Sequence, residues 1–441
     1  MRSSRLGVLV LIWVCGSVIG CGDDSDEPST ARSRYCPAPD RPCDIEEEAC
    51  VESLLDLAAC ERGDKAPRLP PIKSMTVEEF RELLRSEAEE NGAGPTVWDA
   101  ILPKLKLLPD DKPAVDSSIE IASTSVAAFY DDEAKDITVI SDSDIEDDGD
   151  KAYIMLHELS HYLQDRQTDL HELFEGSKKS LDARMSLLAL VEGEAVVNST
   201  RGLVRMMGRS PRELDWERFF DVLDEGLAPD VTKDGSPLIA ARQFLPYSVG
   251  GRYVARMWNT FGRASVEDLF EQRPEAFCDW MTPSRLRPES TLKEPLDCAP
   301  PLAPDGFELY GLDSLGSVGV YALLAAADVG DRSLAAQLRN DAFAVYIDEA
   351  AASEPSKAAA IAVWRLRFAS GDAAKKFATQ IEPLELAPHA FGEELAIRVS
   401  SSEALDALSG DALEACPKLD ALKPMNEDSE VSNAVLRRIV H

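Results

Sequence analysis

The stretch YIMLHELSHYLQD, Tyr153 to Asp165, holds two of the chain's five histidines four residues apart, with a glutamate directly after the first. On an α-helix, residues four apart lie about one turn apart on the same face. His157 and His161 can therefore aim two imidazole nitrogens at one point. Ile154, Leu159, Tyr162 and Leu163 supply the apolar positions of a buried helix around them. With histidine this scarce, the spacing is hard to attribute to composition. It suits a zinc ion held by His157 and His161, with Glu158 beside the ion as a base for a bound water.

A third ligand has to come from elsewhere in the chain. A second long apolar helix is predicted from about Ser180 to Met207, and it carries LVEGEAVV, with Glu192 as the candidate carboxylate and Glu194 as its rival two residues on. Glu194 falls on a different helix face, where a supporting or solvated role fits better than ligation. Tyr247, in LPYSVGG, is a candidate hydrogen-bond donor to the oxyanion of an attacked carbonyl, because Pro246 and Gly250-Gly251 would shape a fixed turn around it. A tyrosine packed at a helix start reads equally well there.

Upstream, SVAAFYDDEAKDITVIS has two β-rich runs around an acidic turn and is predicted as a hairpin; either strand offers an edge for an extended peptide. DIEDDGD then forms an acidic loop. Thr76 and Glu79 have capping-box spacing for a helix whose Phe80, Leu83 and Leu84 share a face. Further helices are expected around LDWERFFDVLDEGL and GRYVARMWNTFG, then paired strands in AFAVYIDE and AAIAVWRLRFA, then a helix over GDAAKKFATQI.

The chain opens MRSSRLGVLVLIWVCGSVIGC, with Arg2 and Arg5 before an apolar run too short to span a bilayer, which is the layout of an export signal. Its end, Val18 to Cys21, resembles the lipobox of bacterial lipoproteins, so Cys21 is the expected lipidation site. GDDSDEPSTARSR then reads as a flexible tether. After export the remaining cysteines are expected as disulfides: a stapled segment from Cys36 to Cys60, Cys278 with Cys298, and Cys416 left over. The connectivity of the first segment stays open. A formal charge of −34 repels phosphates and anionic headgroups, which argues against nucleic acid as a partner.

HELSH followed by EGEA resembles the gluzincin branch of zinc metallopeptidases. From about Ser125 to Gln380 the order of segments is similar to bacterial lipoproteins of peptidase-MA type. The resemblance implies His157, His161 and Glu192 as zinc ligands, Glu192 being preferred because it precedes a glycine, and Glu158 as general base. Two positions depart from the pattern. Val196 stands where relatives orient a histidine with an aspartate, so Asp165 or Asn198 is expected to support the site, and Thr282 stands where a histidine precedes proline. Gly193 is expected to let its helix approach the metal helix closely.

The expected fold is α+β and predominantly helical: a thermolysin-like zincin core with a mixed sheet, the HExxH helix and a mostly helical C-terminal half. The expected divisions are a signal peptide at 1–20, tether and Cys-rich segment at 21–70, catalytic region at 71–400, and a helix or tail at 401–441. The expected function is a membrane-tethered zinc metallopeptidase acting on a peptide or protein, facing the periplasm or cell surface. The alternatives are a zinc-containing scaffold lipoprotein, or a hydrolase of a non-protein amide such as a cell-wall bond. The sequence leaves the oligomeric state open.

Overall fold

The computed structural model describes residues 36–39, 42–90, 96–143, 145, 147–177, 180–233, 235–282, 306–349 and 359–401. Cys21 and the leader, the tether, Cys298, Cys416 and the tail beyond 401 lie outside the described residues. Those residues form an α+β structure that is mostly helical, with one mixed and one antiparallel sheet. None of the described helices is long and apolar enough to cross a membrane.

The strands are β1 (Ile72–Met75), β2 (Ala128–Asp131), β3 (Asp136–Ile140), β4 (Phe307–Asp313), β5 (Leu338–Asp348), β6 (Ala360–Phe368), β7 (His389–Phe391) and β8 (Glu394–Ser400). Numbering only helices of nine residues or more, α1 is Glu48–Arg62, α2 Val77–Glu90, α3 Ala114–Ser125, α4 Asp148–Thr168 and α5 Leu181–Met206. α6 is Trp216–Lys233, α7 Pro237–Leu245, α8 Gly251–Phe261, α9 Gly316–Ala326 and α10 Gly371–Gln380.

The first sheet has the order β1-β3-β2, with β1 parallel and β2 antiparallel to β3. Alternation along its strands serves two cores at once. Phe129 and Ile140 pack with Phe80, Leu84 and Ile119 beneath α2 and α3, while Tyr130 and Ile137 join the main core with α4. The capping box is formed as read: Thr76 N donates to Glu79 at 2.7 Å and Glu79 N to Thr76 Oγ1 at 3.2 Å.

The segment stapled by cysteines does more than tether. Disulfides join Cys36 to Cys60 and Cys43 to Cys50. Between and beyond them α1 folds and buries Val51, Leu54, Leu57 and Ala58 in the main core. Closing 24 residues of chain is worth about 3 kcal/mol on the loop-entropy account. The paired Cys36→Ser and Cys60→Ser variant is therefore expected to lose about that much unfolding free energy and to unfold at a lower urea midpoint, and an unchanged midpoint would count against it.

The C-terminal half is mostly helical, as expected, but it also carries more strand than the single pair read from the sequence. Its helices are followed by a five-stranded antiparallel sheet of order β4-β5-β6-β8-β7. β5 and β6 are the strands predicted, and Trp364, Phe343 and Val345 turn one face of the sheet into the main core. Buried Cys278 lies beside α5, but the expected pairing with Cys298 falls outside the described residues.

An acidic joint ties this sheet to α5. Asp313 accepts from Leu181 N at 3.1 Å and Ser314 N at 2.7 Å, and Trp364 Nε1 donates to Asp341 at 2.9 Å. Burial pushes Asp313 up to about 6, against the two backbone bonds, with Asp341 adding repulsion. A raised carboxyl pKa favours the protonated form in the folded chain. Its contribution is full below about 4 and is lost as pH rises through 6. Asp313→Asn, which keeps the acceptor oxygen, is expected to gain about 1–2 kcal/mol at pH 8 and nothing at pH 4 in urea titrations.

Candidate metal centre

The metal helix begins at Asp147, whose side chain accepts from Gly149 N at 2.8 Å, with Asp148 and Asp150 in the first turn favouring the helix dipole. It ends at Asp169, in the left-handed region at φ 48°. α5 begins at Ser180, which accepts from Ala183 N at 3.2 Å. From Met185 to Thr200 every residue of α5 is buried, so the helix runs through the middle of the protein.

These two helices bring His157, His161 and Glu192 together. Their ligand atoms all lie within 4.8 Å of one another, and all three residues are buried. His157 Nε2 is 3.0 Å and His161 Nε2 3.6 Å from Glu192 Oε2. Among the described residues Glu192 Oε1 and Glu158 Oε2 are buried without a hydrogen-bond partner, a costly arrangement that a cation would relieve. Two imidazoles and a carboxylate are a donor set suited to zinc and other borderline metals. The group can thus hold a metal ion.

Charge distribution follows from burial. Burial alone would raise Glu192, but His161 and the hydrogen bonds from both histidines hold it down to about 2. His161 is raised to about 9 because Glu192 outweighs its own burial. Burial lowers His157. Glu158 lies beside this cluster, outside the ligand group, and burial pushes it up to about 8 while His161 works against the shift. The Tyr130 backbone amide of β2 approaches its carboxylate.

Tyr247 is part of the site. It sits in a π-helical turn over Pro246–Gly250, its ring stacks on His157 with centroids 5.6 Å apart, and burial raises its phenol well above the ordinary range, with Glu192 and Glu158 adding to the effect. A turn of this kind needs unusual packing, and two glycines provide it. A Cβ on Gly193 would come within 2.7 Å of Gly250 O and Gly251 N, and one on Gly250 within 2.8 Å of Ala189 Cα. Gly193 therefore faces the turn that carries Tyr247, not the metal helix as expected. Gly202 is the α5 glycine against α4, beside Leu156.

The expected supporting residues are replaced by others. Asp165 accepts from Tyr130 Oη at 2.8 Å, Lys135 Nζ at 2.8 Å and Leu170 N at 2.9 Å, tying the hairpin to the metal helix. Asn198 donates to Ser160 Oγ at 2.8 Å. Neither is seen bonding a ligand histidine. Gln164 does so, with Oε1 2.8 Å from His161 Nδ1, and Glu194 sits behind it. Nothing local in the sequence marks Gln164, since its role depends on which groups α5 presents to it. His171 is half-exposed, 3.6 Å from both Asp132 and Glu133, as a surface role requires.

Of the two candidate edges, β3 is excluded because β1 and β2 occupy both its sides. β2 is an edge strand lying against α4, and β1 is the other edge. A groove of about 1360 Å³ is lined by β1, α1 and α4 residues including Lys151, Ile154 and Arg166, but by none of His157, Glu158, His161, Glu192 or Tyr247. No protein family, curated protein or solved structure matches this chain.

Proposed function

We propose that this chain is an exported, lipid-anchored zinc metallopeptidase. The observation that carries the reading is the meeting of His157, His161 and Glu192 with a non-ligand carboxylate, Glu158, whose second oxygen is unpartnered. A structural zinc has no use for such a base. Zinc bound there would supply a Lewis acid and lower the pKa of a water toward about 7.

The protein's own groups do the rest. Glu158 takes a proton from water as its oxygen joins the peptide carbonyl carbon, and returns a proton to the nitrogen as the C–N bond breaks. Tyr247, kept protonated by its surroundings, donates to the oxygen that gains charge. β2 offers the edge beside Glu158 for an extended substrate backbone. The resemblance of Val18 to Cys21 to a lipobox supports anchoring through Cys21 at a membrane, facing the periplasm or cell surface.

One observation favours a second reading, a scaffold lipoprotein with structural zinc: the ligands and Glu158 are buried and Tyr247 is only partly exposed. Elemental analysis of metal per chain, then digestion of an unbiased peptide library and of cell-wall fragments by wild type and Glu158→Gln, separates the cases. Cleavage lost with zinc retained supports the enzyme. Cleavage by neither protein leaves the scaffold, and cleavage of cell-wall fragments alone moves the substrate to a non-protein amide.

A further inference from the structure

Behind His161 a chain of hydrogen bonds leaves the metal centre and ends in the disulfide-stapled helix α1. Gln164 Nε2 donates to Val191 O at 2.9 Å and to Glu194 Oε2 at 3.0 Å. Both partners are acceptors, so the amide nitrogen has to face them and the amide oxygen has to face His161. That oxygen lies 2.8 Å from His161 Nδ1 and can only accept. In the ligand tautomer the proton of His161 is therefore on Nδ1 and the lone pair on Nε2, the nitrogen nearer Glu192.

Glu194 is fixed in turn from outside the two ligand helices. Arg62 Nη1 donates to Glu194 Oε2 at 2.9 Å, with side-chain exposures of 1% and 2%. The same guanidinium donates to Gln167 Oε1 on the metal helix at 2.8 Å and to Asp64 Oδ2 at 3.1 Å. Asp64 also receives Arg263 at 2.8 Å. Arg62 is the last residue of α1, two positions after Cys60 and its disulfide to Cys36.

The geometry points to Arg62 as a positioning residue for the metal centre: through Glu194 and Gln164 it sets the tautomer and ring orientation of His161, so that metal affinity depends on the N-terminal helix. This rests on the reading of His157, His161 and Glu192 as metal ligands. Glu61, its neighbour on α1, provides the comparison. Its equally buried carboxylate accepts from Arg201 at 2.9 Å and Arg205 at 2.7 Å, joining α1 to α5 through groups that are not seen touching a ligand.

The test measures the zinc dissociation constant of the full exported chain by chelator competition, for wild type, Gln164→Leu, Arg62→Met, Arg62→Lys and Glu61→Gln. Unfolding midpoints and the visible spectrum of the cobalt-loaded protein are read alongside. Gln164→Leu and Arg62→Met are expected to weaken zinc binding about 10–100-fold and to shift the cobalt bands. Arg62→Lys, keeping charge without the forked contacts, falls between. Glu61→Gln loses stability but binds zinc as wild type does.

Wild-type affinity in Gln164→Leu and Arg62→Met, or an equal loss in Glu61→Gln, overturns the inference. If Arg62→Met does not fold, Gln164→Leu and Arg62→Lys carry the same test. A wild-type chain that binds no zinc overturns the metal reading and this inference with it.

Discussion

On the proposed function, Glu158→Gln is expected to lower peptide hydrolysis by about 10²–10⁴-fold while zinc stays bound, the range a positioned general base contributes. The side chain keeps its shape, and none of the three ligands changes. The variant also has a stability signature that separates it from a damaged fold. In the metal-free chain burial holds Glu158 up at about 8, so the folded state favours the protonated carboxyl. That contribution is full below about 4.5 and is lost as pH rises through 8. Metal-free Glu158→Gln is therefore expected to unfold at a higher urea midpoint than wild type at pH 8, and equally at pH 4. A catalytic group that destabilises its own fold is the usual trade between activity and stability. Undiminished cleavage, or zinc lost together with cleavage, would remove Glu158 from the role of base.

Gly250→Ala destabilises the protein by about 3 kcal/mol or more, at the upper end of what overpacking costs. The added methyl meets the backbone of Ala189 on α5, with Ala189 Cα 2.8 Å away, and neither a backbone turn nor a buried helix can move aside cheaply. The strain falls on the turn that holds Tyr247 over His157, so residual activity should fall further than the loss of folded protein explains. Gly176→Ala is the comparison, because a Cβ there has nothing within 4 Å. It is expected to be neutral or to gain up to about 1 kcal/mol from helix propensity. Urea unfolding of both variants checks the pair, and equal midpoints would refute the packing argument.

The elements that carry the metal ligands were legible because their signals are local. The second helix was expected from about Ser180 to Met207 and runs Leu181–Met206, with Ser180 as its cap. The hairpin, β5, β6 and α10 follow from alternation and capping in the same way. Missed elements had weak or masked local signals. α1 lies in a segment dominated by cysteines, and β1 follows a proline pair in a run of four residues of which the first three are exposed. β8 could have been read, since Leu395, Ile397 and Val399 alternate into buried positions.

At the site, spacing placed His157, Glu158 and His161, the family resemblance chose Glu192 over Glu194, and a proline-glycine turn pointed to Tyr247. Helical spacing failed for the supporting shell. Asp165 and Asn198 lie on plausible faces, yet the bond to His161 comes from Gln164, and Arg62 reaches Glu194 across 132 positions of sequence. Such contacts depend on how α1, α4 and α5 cross, which no local pattern encodes. The two glycines of α5 make the same point: each is needed for a close approach, but only packing assigns Gly193 to one neighbour and Gly202 to the other.

The outer side of β1 has consequences for crowding. A strand with one side unpaired is a template for another strand, and Ile72 is one of four large apolar side chains exposed among the described residues. If acyl chains confine many copies to one surface, collisions between those sides become frequent. Self-association there has to bring together two strongly acidic bodies, the full sequence carrying a formal charge of −34. Electrolyte that screens this repulsion should therefore promote clustering of copies so confined.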